Sequence, residues 1–134
     1  FLMEINLISN LKLEYVDRFS DHPFPEYLRL GVPVALSTDD RGMWDTNVTD
    51  EFFVAVHHFN LSWPEVVQLS EASLSHSFLP TQEKEERLKT FRQALGQFMR
   101  RAVSDGLVIG PTSYKKRRAF MCGRYNVCEA KSSN

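Results

Sequence analysis

A short strand that is apolar on both of its faces constrains this chain more than any other feature. Residues 32–36 read VPVAL and are followed at once by the polar cluster STDD. Strands of this kind are typical of parallel sheets that are covered on both sides. Alternating apolar residues from Met3 to Ile8 predict an earlier strand, and a helix over residues 26–30, ending at Gly31, is expected between the two. The order strand, helix, strand indicates a βαβ unit, in which functional residues collect beyond the carboxyl ends of the strands.

Three further helices are predicted between residues 49 and 105. Thr49 is expected to cap a helix over residues 50–59, whose apolar face would consist of Phe52, Phe53, Val56 and Phe59. Ser62 and Glu65 have the spacing of a capping box and open the next helix. Thr81 caps a longer helix, along which apolar residues recur at intervals of three and four: Leu88, Phe91, Leu95, Phe98 and Ala102.

Length and composition indicate a globular protein. The 134 residues amount to one domain or to a piece of a larger one, and 43% apolar with 25% charged residues excludes a disordered or collagen-like chain. No apolar run approaches the roughly 18 residues that a membrane helix needs, and a net charge of −1 is not that of a nucleic-acid-binding protein. Residues 1–105 carry 10 basic and 16 acidic side chains, whereas residues 106–134 carry 6 and 1. The last segment is therefore expected to be a basic carboxyl-terminal extension.

The Asp39-Asp40 pair is the strongest candidate for a functional site. If the strand continued through the pair, the two side chains would face opposite ways, so that one carboxylate could reach the mouth formed by the strand ends. A carboxylate is a competent zinc ligand, and a second one can accept a hydrogen bond from a ligand's N–H. A solvated turn or a helix cap explains the same residues, so spacing alone leaves both interpretations open.

The other polar candidates give weaker signals. Ser9 and Asn10 follow the first strand on the same side as Asp39, where they either line the same mouth or form a turn. Cys122 and Cys128 could be bridged or free, and the basic run at residues 115–118 is a solvated loop or an anion-binding patch. The histidines form neither H-x-H nor H-E-x-x-H, so surface or structural roles are expected for His22, His57, His58 and His76.

Six segments in a fixed order resemble the carboxyl-terminal portion of adenosine deaminases, and the similar sequence runs from about Ile5 to Phe98. The first three are a strand ending in Ser-Asn, a His-Pro pair before a helix that ends in Gly, and a short strand into Thr-Asp-Asp. The other three are a Thr-x-Glu-Phe helix start, a Leu-Ser-Trp-x-Glu helix start and a Ser-Phe-Leu-Pro stop. They fall at residues 9–10, 22–31, 32–40, 49–52, 61–65 and 77–80.

The resemblance implies an α/β fold in which residues 1–105 form the carboxyl-terminal part of a (β/α)₈ TIM barrel, strands seven and eight plus the closing helices. It also implies zinc-dependent hydrolytic deamination of adenosine or a related purine nucleoside to inosine and ammonia, in which the metal lowers the pKa of the water that attacks C6. Asp39 would be the zinc ligand and would also take a proton from that water. Asp40 would hydrogen-bond the purine ring at N7.

The sequence also departs from the family pattern. Arg41 and Gly42 stand where the family commonly continues with proline. The remaining zinc ligands and the general-acid glutamate are expected upstream, in an amino-terminal part of the barrel that this chain lacks, so the chain alone is expected to be inactive and able to form oligomers. Two alternatives stay open: a non-catalytic remnant that binds a nucleoside or a protein, and an amidohydrolase with another substrate, for which Arg41 would read a phosphate or carboxylate. The compartment is left undetermined.

Overall fold

The computed structural model describes residues 1–104. The expected extension over residues 106–134, with Cys122, Cys128 and the basic run at 115–118, lies outside the described residues. None of the described helices is both long and apolar enough to cross a membrane. Along the chain the elements are β1 (Met3–Ile5), α1 (Leu7–Lys12), a 3₁₀ turn (Phe19–Asp21), α2 (Phe24–Arg29), β2 (Val34–Leu36), α3 (Arg41–Trp44), α4 (Val48–Phe59), α5 (Trp63–Ser75) and α6 (Thr81–Ser104).

The two strands pair in parallel with α2 between them in the chain, which confirms the predicted βαβ order. Met3 lies opposite Val34 and Ile5 lies opposite Leu36. The ladder is extended by a hydrogen bond from the Ser37 N–H to the Ile5 carbonyl oxygen at 2.9 Å. All three residues of β2 are buried, as expected of a strand covered on both sides. Within residues 1–104 no third strand pairs with either outer edge of this sheet.

A single hydrophobic core joins the strands to the helices. The aromatic rings of Phe24 on α2 and Phe59 on α4 meet edge to face with their centroids 5.5 Å apart. Helix α5 packs on β2 and contributes Leu69, which is fully buried. The most deeply buried apolar side chains of the cluster come from five different elements: Leu7, Phe24, Leu28, Val34, Ala55 and Leu69.

The first predicted strand is too long. Residues 3–5 form the strand, but the chain turns into α1 at Leu7, so Leu7 and Ile8 belong to a helix. Their backbone N–H groups donate to the carboxylate of Glu51, a residue that is more than 40 positions away in the chain. Alternation could not reveal this change of element, because Leu7 continues the apolar alternation of Met3 and Ile5.

Helix α4 begins earlier than expected and buries a different face. Its N-cap is Asn47 rather than Thr49: the Asn47 side-chain oxygen accepts from the Thr49 and Asp50 N–H groups at 2.9 and 3.2 Å. Phe53 was expected in the core but is 67% exposed. Val56 was also expected there and is exposed as well, because the buried face is rotated to Glu51, Val54, Ala55 and Phe59.

The capping pattern predicted for α5 is confirmed and also connects two helices. The Glu65 carboxylate accepts from the Ser62 N–H at 2.7 Å and from the Ser62 hydroxyl at 2.8 Å. Its other oxygen accepts from Arg29 Nε on α2 at 3.0 Å. The pKa of Glu65 is lowered, mainly by the backbone hydrogen bond from Ser62. One side chain therefore both begins α5 and ties it to α2.

Helix α6 forms as predicted, but no residue on it is fully buried. It is held against α5 by Arg92, whose guanidinium contacts the Glu71 carboxylate at 2.7 and 3.2 Å. The rings of Phe98 and Trp63 lie 5.8 Å apart, and both side chains are more than 40% exposed. The apolar stripe of α6 is thus only partly covered by residues 1–104.

We predict that residues 1–134 expressed alone associate, aggregate or remain molten. Parallel strands with unpaired edges recruit other chains, and the half-covered stripe of α6 adds apolar surface that favours association. Sedimentation and a thermal melt of the isolated chain measure this directly. A monodisperse monomer with one sharp cooperative transition would contradict the prediction.

Candidate functional site

The two aspartates lie in the loop beyond the carboxyl end of β2. The strand ends at Leu36, so it does not continue through the pair as one interpretation of the sequence assumed. Asp39 adopts a left-handed backbone conformation with φ of 52°, which aspartate and asparagine tolerate better than other non-glycine residues. Asp40 is the N-cap of α3, and its carbonyl oxygen accepts from the Met43 and Trp44 N–H groups at 2.8 and 3.0 Å. Loop geometry, not strand alternation, therefore sets where the two carboxylates point.

Ser9 and Asp39 meet at this edge of the sheet. The Ser9 hydroxyl donates to Asp39 Oδ2 at 2.7 Å. Ser9 has no exposed surface, whereas Asp39 is exposed to solvent. The buried hydroxyl therefore holds one oxygen of a carboxylate that remains accessible. Of the two interpretations of Ser9, the hydrogen bond supports the one that places it beside Asp39, and Ser9 lies on α1 rather than in a turn.

The Asp40 carboxylate is not used to cap the helix that it begins. It makes no side-chain capping hydrogen bond to α3, and the residue is exposed. The helix-cap interpretation of the pair is thus correct for the backbone of Asp40 and wrong for its side chain. The carboxylate remains available to a group outside the described residues.

His22 and Asn10 form a structural contact apart from the aspartates. The Phe24 N–H donates to His22 Nδ1 at 3.0 Å, so that nitrogen carries no proton, and Nε2–H donates to Asn10 Oδ1 at 2.9 Å. Burial lowers the pKa of His22, which keeps the ring neutral. The ring holds α1 against the start of α2, as the structural interpretation of His22 predicted.

The remaining histidines lie away from the pair. His57 and His58 are exposed near the end of α4, where their rings contact each other and those of Phe53 and Phe19. His76 ends α5, with Nδ1 3.1 Å from the Ala72 carbonyl oxygen. Within residues 1–104, no three histidine, cysteine or acidic side chains come together to hold a metal.

Glu51 was not recognised as a site-supporting residue from the sequence. It is completely buried on α4, and its Oε2 accepts from the Leu7 N–H at 2.9 Å, with the Ile8 N–H 3.4 Å from each carboxylate oxygen. Burial raises the pKa of Glu51 to about 7 against the lowering effect of these hydrogen bonds. The available signal was its spacing: residues 51, 55 and 59 fall on one helix face, so an acidic residue stands in an otherwise apolar stripe.

Two more side-chain polar atoms are buried without a hydrogen-bond partner in the described part of the chain. They are the Asn6 side-chain oxygen, just after β1, and Trp44 Nε1, at the end of α3. An acceptor and a donor without partners are uncommon in protein interiors.

Comparison with known proteins shows that this chain is similar to one enzyme family. Residues 1–94 match the family model described as adenosine deaminase. Similar curated proteins include an adenosine deaminase-like protein of Drosophila pseudoobscura pseudoobscura, 32% identical over 63% of this chain and 25% of its own, and an N6-methyl-AMP deaminase of Danio rerio, 31% identical over 72% and 28%. An adenine deaminase of Schizosaccharomyces pombe is 30% identical over 68% of this chain and 25% of its own.

Solved structures give the same picture. The adenine deaminase of Arthrobacter aurescens superposes with a TM-score of 0.66 at 29% identity, over 71% of this chain and 29% of that one. The Arabidopsis N6-methyl-AMP deaminase superposes with a TM-score of 0.64 at 26% identity, over 70% and 28%. The chain spans about a quarter of the length of the curated relatives it matches. The implied fold is confirmed: the described residues form part of a TIM barrel of the kind found in these deaminases.

We predict that His22→Ala lowers the free energy of unfolding by about 1–3 kcal/mol, because it leaves the buried Phe24 N–H without an acceptor. The pKa of His22 is lowered from 6.5 in the fold, so its contribution is present above pH 6.5 and is lost as the pH falls below that value. The difference between wild type and variant should therefore shrink in acid. Denaturation of the longest natural polypeptide that contains this chain, at several pH values, measures it.

The control is His76→Ala, which removes an exposed histidine and should stay within about 0.5 kcal/mol of wild type at every pH. Equal losses for the two variants, or a His22 effect that does not vary with pH, would contradict the assignment of a neutral buried ring.

Proposed function

This chain belongs to the adenosine deaminase family, and from that premise we propose that it supplies a metal ligand and a purine-binding carboxylate to a zinc-dependent hydrolase. The reaction would be hydrolytic deamination of adenosine or a related purine nucleoside, giving inosine and ammonia. The observation that carries the proposal is the accessible Asp39-Asp40 pair beyond the end of β2, with the buried Ser9 hydroxyl on Asp39.

The residues of this edge fit a zinc ion, with the chain providing one of its ligands. Asp39 Oδ2 accepts from Ser9, so a lone pair of Oδ1 on the same exposed carboxylate can bind the ion. A hydrogen bond of this kind to a ligating carboxylate is typical of metal sites, since it fixes the direction of the ligand. The other ligands would come from barrel strands outside this chain.

Bound zinc would supply a Lewis acid that lowers the pKa of the attacking water. The residues of this chain would position the metal ligand and accept a proton. Asp39, held by Ser9, would take the proton of the water whose oxygen attacks C6. The Ser9 side chain has little room to rotate away from Asp39, because the residue is enclosed on all sides.

Asp40 would hold the purine ring. N7 of a neutral adenine ring is a hydrogen-bond acceptor, so a contact with the Asp40 carboxyl requires a proton between the two. A proton at that position draws electron density toward N7 and makes C6 a better electrophile. The Asp40 carboxyl makes no capping hydrogen bond to α3, so it is free to meet a ligand at this edge.

The names of the relatives indicate a class of substrate but not one compound. Their names include adenosine, adenine and N6-methyl-AMP deaminases, which share an adenine-type ring and differ at the sugar, the phosphate or the amino group. A site built around C6 and N7, as proposed for Asp39 and Asp40, reads the shared ring. Discrimination among the rest of each molecule is expected from other parts of the barrel and from Arg41, which begins α3 beside the pair.

We predict that the longest natural polypeptide containing this chain, loaded with zinc, releases ammonia from at least one purine. Adenosine, deoxyadenosine, adenine, AMP and N6-methyl-AMP form the panel, with ammonia and the 6-oxo product measured together. A protein that binds zinc but deaminates none of them would favour an amidohydrolase with another substrate. A protein without zinc or turnover would favour the non-catalytic alternative.

We further predict that Asp39→Asn and Asp40→Ala fail in different ways. Asn keeps the left-handed backbone at position 39 but removes the charged ligand, so zinc content and turnover should both fall. Asp40→Ala should keep zinc and lose activity through misplacement of the ring. Metal analysis with steady-state kinetics separates the two.

Glu85→Gln is the matched control, since Glu85 is an exposed carboxylate on α6, outside the proposed site. It should retain both zinc and activity. Equal zinc content and near-normal rates in the Asp39 and Asp40 variants would show that the pair is not the site.

A further inference from the structure

Glu51 is a fully buried carboxylate for which the structure offers no opposite charge. Among the residues that the structure describes, the ion pairs join other side chains, and no basic group pairs with Glu51. Burying an unpaired carboxylate opposes folding, which is why the pKa of Glu51 is raised to about 7. An apolar residue at this position of the α4 stripe would avoid that cost. The contacts that Glu51 makes must therefore account for its presence.

Those contacts are to the first turn of α1. Helix α1 has no cap of its own, since the Asn6 side chain makes no capping hydrogen bond. Glu51 Oε2 instead accepts the Leu7 N–H at 2.9 Å, and the Ile8 N–H also points to the carboxylate. Glu51 thus fixes both the position at which the helix begins and the direction in which it leaves β1.

The next residue of α1 is Ser9, whose hydroxyl holds the Asp39 carboxylate at 2.7 Å. Asp39 is three residues beyond the end of β2 and is not held by the sheet ladder, which ends with the Ser37 N–H. The direction of its carboxylate therefore depends on Ser9, and the position of Ser9 depends on the two residues that Glu51 holds. One continuous set of contacts runs from α4 to the proposed metal ligand.

We propose that Glu51 is a positioning residue of the metal site: its carboxylate anchors the start of α1 and so places the Ser9 hydroxyl against Asp39. This inference rests on the proposed function, which makes Asp39 a zinc ligand. Glu51 itself touches neither metal nor substrate. It acts through Ser9, and its removal should loosen the metal site in the same way as removal of the Ser9 hydroxyl.

The test uses variants at position 51 that differ only in their acceptor. Glu51→Leu keeps the bulk and removes the oxygens, whereas Glu51→Gln keeps one oxygen for the Leu7 N–H without the charge. In the longest natural polypeptide that contains this chain, Glu51→Leu and Ser9→Ala should each raise the zinc Kd about tenfold, the size expected when an outer hydrogen bond of a metal ligand is lost. Glu51→Gln should stay close to wild type. Competition with a chelator gives the zinc Kd, and kcat is measured alongside.

The double variant separates positioning from general damage. If Glu51 acts through Ser9, Glu51→Leu combined with Ser9→Ala should raise the zinc Kd no further than the larger single change. Independent effects would multiply to about a hundredfold, and that result would overturn the proposal. An unchanged zinc Kd in Glu51→Leu would overturn it as well.

The control is Glu65→Leu, because Glu65 makes the same kind of contact to a helix start, the Ser62 N–H at 2.7 Å, but begins α5 rather than α1. It should lower the Tm and leave the zinc Kd within about twofold of wild type. A zinc Kd raised as much as in Glu51→Leu would show that Glu51 affects the site only through the general stability of the fold. Wild-type protein that holds zinc tightly yet deaminates no purine would reject the proposed function while the Kd comparison still decides the role of Glu51. Wild-type protein that binds no zinc would overturn both.

Discussion

The carboxylate of Glu51 lies beneath the first turn of α1 and accepts the N–H groups of Leu7 and Ile8. A helix start leaves backbone donors without partners, and a buried start needs an acceptor from elsewhere in the fold. Asn6 does not provide one through its side chain. The end of β1, the start of α1 and the place of Ser9 therefore all depend on α4 being in position. This contact joins residues more than 40 positions apart, so the geometry of the site depends on tertiary packing and not on local sequence alone.

The sheet is covered on its faces by the described residues but is incomplete at its edges. Strand β2 is buried along its whole length by the elements of residues 1–104, yet both outer edges of the sheet remain unpaired within those residues. Helix α6 repeats the contrast, since it is held to α5 by Arg92 and Glu71 but keeps an apolar stripe that is only half covered. A core that is complete at its centre and open at its margins is what part of a barrel requires.

The sequence predicts an element correctly where residues close together in the chain determine it. Strand β2 was found from its two-sided apolar run, and α5 from the spacing of Ser62 and Glu65. The prediction failed where a distant residue decides. The start of α1 depends on Glu51, the buried face of α4 follows from its packing rather than from its phenylalanines, and the four-residue helix α3 is too short to leave a periodic pattern. Because parallel strands end at one edge of the sheet, the sequence predicts that Ser9 and Asp39 can lie close together. It does not predict the hydrogen bond between them, since that bond depends on α1, which the alternating apolar pattern does not indicate.

The backbone conformation helps to explain the first aspartate of the pair but not the second. Position 39 has φ of 52°, which favours glycine, asparagine or aspartate, and of these only aspartate offers a charged oxygen ligand. Position 40 is the N-cap of α3, but its side chain makes no capping hydrogen bond, so capping does not account for an aspartate there. The backbone thus restricts the residue type at position 39, whereas at position 40 the proposed contact with the purine ring would account for the acid. The pair can direct its carboxylates to different partners without a strand passing through it, since Ser9 orients the first whereas the second is exposed and makes no capping hydrogen bond to α3.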